Sequence, residues 1–181
     1  MRSRWAAALF LACGLSCSRE DAAAPAPALP AEKVETAFSR AFEPDKFREK
    51  YSPHFTRVAG GGGRSGVKIT PPDHTFKDFT LRGPVGEEKI GEIVAALKTE
   101  LLELARSTGA QIVREPGAMT PERLGSLPYG TLKDQYSGGL QGFHFAYRQA
   151  AVEGAVDVLA GSGAVDGKKE WMLIVSVHEA R

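Results

Sequence analysis

The amino-acid sequence predicts an α+β fold: a long amphipathic helix packed on a largely antiparallel sheet of four or five strands, closing with a C-terminal three-stranded meander. Three observations predict it. Residues 87–108 carry an unbroken apolar stripe at helical spacing, the last third of the chain alternates at strand spacing, and short turn signals separate the alternating runs. The composition is compatible with one packed domain, since 43% of the 181 residues are apolar and 25% are charged. A formal net charge of +1 supplies no field that would gather nucleic acid, which argues against a nucleic-acid binder. Both cysteines lie within the first 17 residues, so the body of the chain holds neither a disulfide framework nor a cysteine-rich zinc site.

The chain begins as an address. Arg2 and Arg4 precede an apolar run from Trp5 to Leu15, which falls short of the roughly 20 residues a membrane span requires and fits an export signal. The run ends Leu11-Ala12-Cys13-Gly14-Leu15-Ser16-Cys17. In this it resembles bacterial lipoprotein precursors, in which a cysteine after small residues is lipidated and becomes the first residue of the mature chain. Cys17 is preferred to Cys13 as the lipid attachment site because it leaves the longer apolar core. The resemblance implies a signal peptide over 1–16, a tether over 17–30 and a folded domain over 31–181. It further implies a membrane partner reached through the lipid, and Ser18 in place of aspartate points to the outer membrane, facing the periplasm. A plain secretory signal with incidental cysteines, or an uncleaved anchoring helix, is the alternative. The Ala/Pro-rich stretch up to Pro30 has little to bury and suits a semi-rigid spacer.

Within the body, Val34, Ala37, Phe38 and Ala41 recur at helical spacing, and Pro44 opens a second short helix running to Lys50. Residues 59–66, with five glycines, are expected to form a loop. Arg64 stands where a phosphate-binding P-loop would need lysine. Phe76–Arg82 alternates as a strand and Gly83-Pro84 ends it. The stripe of the long helix comprises Ile90, Ile93, Val94, Leu97, Leu101 and Leu104, with Glu87 and Glu88 in the first turn and Gly109 as the stop. Gln111–Arg114 is strand-like. Residues 116–142 are expected to be a long irregular connection with a short helical turn near Glu122.

Three strands remain, near 143–148, 152–160 and 171–178, with Asp166-Gly167 as a hairpin turn. If this turn is the two-residue kind and the preceding connection around Ala150-Ala151 has an even number of residues, the register follows. Tyr147 then opposes Gly154, Phe145 opposes Val156 and Phe143 opposes Val158, while Val175, Leu173 and Trp171 continue the same face. The opposite face should carry Arg148 across from Glu153, a row of His144, Asp157 and Ser176, and His178 on the diagonal.

A serine-protease-like triad fails here, because the chemistry needs histidine between serine and carboxylate and this row puts Asp157 in the middle. His144, Asp157 and His178 are the candidate ligand or metal-binding residues, since two imidazoles and a carboxylate suit a zinc-sized ion. Plain solvated polarity, with Arg148–Glu153 and His144–Asp157 as cross-strand pairs, explains the same residues and is preferred. Leu159, Met172 and Ile174, with Ala146, add an apolar strip to this face, covered either by the N-terminal helices or by an envelope protein partner. The functional expectation is a membrane-anchored, non-enzymatic binding module without a cofactor. The alternative is a small-ligand or enzymatic domain with a pocket between helix and sheet, or at the connection over 116–142.

Overall fold

The computed structural model describes residues 35–55, 64–69, 74–125 and 134–180, all within the unit Glu32–Arg181. The expected signal peptide, Cys17 and the tether lie outside these residues. Six antiparallel strands form one sheet: β1 (Arg64–Ile69), β2 (His74–Gly83), β3 (Gln111–Ala118), β4 (Gly138–Gln149), β5 (Val152–Val165) and β6 (Lys168–Ala180), in the order β1-β2-β6-β5-β4-β3. The helices are α1 (Ala37–Ala41), α2 (Pro44–Tyr51), α3 (Glu87–Ser107) and α4 (Pro121–Gly125). The architecture is α+β, with six strands in place of the expected four or five. No described helix is long and apolar enough to cross a membrane.

The register of the last three strands follows from their turns. Asp166 and Gly167 both take positive φ, at 50° and 74°, as a primed two-residue turn requires. Gln149 pairs with Val152 across Ala150-Ala151. Phe145 therefore opposes Val156 and Val158 opposes Val175, and all of them enter one core. Tyr147 opposes Gly154, where a Cβ would collide with the tyrosine ring, so glycine is what lets the ring lie flat on the ladder.

The helices cover this first face. Ile90, Ile93, Leu97, Leu101 and Ala105 of α3 are buried against the sheet, with Val94 and Leu104 partly so. The helix ends in a Schellman arrangement: Ala110 N–H donates to Ala105 O at 2.9 Å, Gly109 N–H donates to Arg106 O at 3.1 Å, and Gly109 holds φ 77°. Phe38, Phe42, Tyr51 and Phe55 fill the rest of the core. The start of α1 is fastened by polar contacts. The buried Glu179 carboxylate accepts from Thr36 N–H at 3.3 Å, from Tyr147 Oη at 2.7 Å and from the Thr36 hydroxyl. Burial pushes the Tyr147 phenol up, and the charge and hydrogen bond of Glu179 add to it, so it stays protonated and donates. Trp171 is wholly buried in the same core.

Two expectations about connections change. The sequence around 64–66 is not loop: Arg64 to Gly66 open β1, paired to β2 from Arg64–Thr80 to Ile69–Thr75. Pairing with a neighbouring strand outweighs the low strand preference of Ser65 and Gly66. Residues 116–142 hold the end of β3, α4 and the start of β4. Pro116 is tolerated because β3 is an edge strand, and the ladder to β4 shifts register on both sides of Arg114.

Candidate functional site

The second face of the sheet divides into two halves. Leu159, Met172 and Ile174 are only 0%, 4% and 6% exposed, because Met119, Leu124 and Tyr136 pack over them. This corrects the expected open strip. Neither the N-terminal helices nor a partner covers it; the chain's own segment around α4 does. Burying those three side chains stabilises the docked segment by about 1.5–3 kcal/mol each. Gly161 and Gly163 make the docking close, since a Cβ at either would strike the carbonyls of Tyr136 and Gln135.

The other half is open and polar. Three rows cross it: Gly117, His144, Asp157 and Ser176; then Arg114, Ala146, Ala155 and His178; then Gln111, Arg148, Glu153 and Ala180. In the middle row only methyl groups stand between Arg114 and His178, which lie three strand spacings apart, about 14 Å, and beyond His178 the row continues to Phe76 of β2. The result is a shallow trough of about 320 Å³ with Ala146 and Ala155 in its floor, bordered by Arg114, Arg123, His144, Glu153 and His178. The register shifts beside Arg114 align it with Ala146, at the border of the trough. Arg123 arrives on α4, whose start is capped by Thr120: its Oγ1 accepts from Arg123 N–H at 3.2 Å.

Asp157 is the centre of the charge pattern. It is fully buried, yet Arg123 Nη2 lies 3.2 Å from its Oδ1 and 3.4 Å from its Oδ2, and His178 Nε2 lies 2.8 Å from Oδ2. Burial alone would raise the Asp157 carboxyl. The hydrogen bond and charge of His178, joined by Arg123, outweigh it and hold the group below the ordinary carboxylate range. Because an ionised carboxylate only accepts, Nε2 of His178 carries the proton of this bond.

Of the three residues expected to gather, Asp157 and His178 meet and His144 does not. His144 stands in the predicted row opposite Asp157, but its Nδ1 is shut from solvent with no hydrogen-bond partner among the described residues, and its ring lies against Gly117. The expected His144–Asp157 pair is replaced by the diagonal His178–Asp157 pair, whereas Arg148 and Glu153 pair as expected. No described group of three His, Cys, Asp or Glu side chains could share an ion, so the three-ligand metal site is corrected. Physically, Arg123 takes the flank of Asp157 that a cation would need, and its charge would repel one. The helix–sheet interface is filled by apolar core, and the trough instead adjoins the segment that the sequence suggested as a second place for a pocket.

Sequence reasoning missed Arg114 and Arg123. Arg114 sits where bulges erase the alternation. Arg123 had a usable signal, because Thr120-Pro121-Glu122 is a helix-start pattern that would have fixed the phase of α4.

Fold and trough together define an α+β domain with one sheet face capped by helices and the other half sealed, half open. No protein-family model, curated protein or solved structure matches the chain.

Proposed function

We propose that the chain is a lipid-anchored binding module of the bacterial envelope, non-enzymatic, which engages an envelope component through the trough between Arg114 and His178. The observation that carries this reading is the Asp157 carboxylate, fully buried yet held by Arg123 and His178 beside an open trough. A catalytic acid or base has to exchange protons with substrate, and Asp157 is shut away and engaged on both oxygens. That arrangement suits a fixed template for recognition. The leader supports the anchoring part: a basic start, a short apolar core, then Ser16-Cys17 and an Ala/Pro-rich spacer. Attachment at Cys17 would leave the domain tethered to the outer membrane on its periplasmic side.

The test is to produce the full chain in a bacterial host, then measure the mass of the mature protein and its thermal stability with and without a detergent-solubilised envelope fraction. The expected result is a mature chain starting at a lipidated Cys17, stabilised by the fraction, with the stabilisation lost when Ala155→Trp fills the trough. An unmodified N-terminus beyond Cys17 rejects the anchor. Equal stabilisation of the wild type and Ala155→Trp rejects the trough.

A further inference from the structure

The sealed half of the second face buries one charge as well as its apolar strip. Glu170 of β6 is 6% exposed and forms no hydrogen bond or ion pair among the described residues, whereas every other buried polar or charged residue described has a partner. Glu170 shares its face with Met172 and stands opposite Gly163, where a Cβ would strike the Gln135 carbonyl and crowd the Tyr136 ring. The carboxylate therefore lies beside the place where the covering segment comes closest to the sheet. Two cations are near it by register: Arg82 on β2, opposite Met172, and Lys168, two residues before it on the same strand. A diagonal neighbour is about 7–8 Å away, within reach of such side chains, yet neither is paired with it.

A carboxylate shut away without a partner penalises whichever state buries it. Lifting the stretch over Gly163 removes that penalty, because it returns the carboxylate to water and to Arg82 and Lys168. We infer that the cover of the sealed half, residues 119–125 and 134–136, is a flap poised to open. Its closed state is held by Met119, Leu124 and Tyr136 on the strip of Leu159, Met172 and Ile174, and is opposed by the unpaired charge of Glu170. Opening bares this strip while the helix-covered core stays shut, since the anchors of the flap belong to a cluster separate from that core. An apolar side chain at position 170 would extend the strip and lock the cover, whereas glutamate makes the cover releasable. The flap works independently of the trough on the open half.

The test is amide hydrogen exchange of the full chain, followed by NMR without denaturant. The Leu124 amide, which donates to Thr120 O at 2.9 Å within α4, reports the flap, and the amide of the buried Leu101 in α3 reports the core. The expected result is exchange at Leu124 slowed about fivefold or more in Glu170→Gln, as relieving an unsatisfied buried charge implies. Glu170→Met, which continues the strip, should slow it at least as much. Glu103→Gln makes the same change at an exposed acid of α3 and should leave Leu124 at the wild-type rate. Slowing in either Glu170 variant with that control unmoved supports the flap. Unchanged or faster exchange at Leu124 in both variants overturns it, because Glu170 then does not oppose closure. Slowing at Leu101 with Leu124 unmoved also overturns it, since Glu170 then belongs to the part that opens only with the whole domain. Equal slowing at Leu124 in Glu103→Gln overturns it as a general effect of charge.

Discussion

Asp157 shows how much a single side chain can require of its surroundings. A buried carboxylate without partners would be severely destabilising, and here Arg123 and His178 supply the compensation. Replacing it with alanine removes that pairing and the strap between β5 and α4 together, so Asp157→Ala should cost about 2–4 kcal/mol in denaturant unfolding. The pH dependence has a definite sign. Because the folded-state carboxyl is held below its ordinary value of 3.8, its contribution is complete above that value and is lost as pH falls below it through the folded-state value. Wild-type stability should therefore drop below pH 3.8 by an amount that Asp157→Asn does not show. Matching acid limbs in the two proteins would contradict the account.

The strands divide sharply into those whose placement could be read from local chemistry and those that could not. β4, β5 and β6 were legible because two-residue turns at Ala150-Ala151 and Asp166-Gly167 leave one register, and a slip by one residue would turn Phe145 and Val175 out of the core. α3 was legible from its stripe and its glycine stop. β1 was not, because Gly66 and its glycine-rich approach speak against a strand and only pairing with β2 overrides them. The segment carrying α4 was not, because its anchors Met119, Leu124 and Tyr136 have no common period. What holds them is the sheet surface beneath. The far-face strip was recognised as too apolar for solvent, yet its cover came from a stretch read as loop. Gly161 and Gly163 were the overlooked signal, since two glycines in a strong strand mark a place where another backbone comes close. Gly161→Val should accordingly loosen the α4 segment and leave the helix-covered face intact. Hydrogen exchange should rise around residues 119–125 and 134–140 while α3 keeps its protection. Loss of protection in α3 at the same denaturant concentration would mean the two faces unfold as one unit.

At the scale of the whole domain, the start of the described chain and the end of the last strand are tied together. Thr36, among the first described residues, is bonded to Glu179 near the end of β6, and Ala180, the next residue, borders the trough. The central claim is that the open half of the second sheet face is the working surface. Its most direct measurement is site-specific photo-crosslinking in cells, with a photoreactive residue placed at Ala155 in the trough, at Lys98 on the exposed side of α3, or at Leu159 beneath the α4 segment. The account predicts capture of a defined envelope component from position 155 and none from 98 or 159. Capture from Lys98 with none from Ala155 would contradict it.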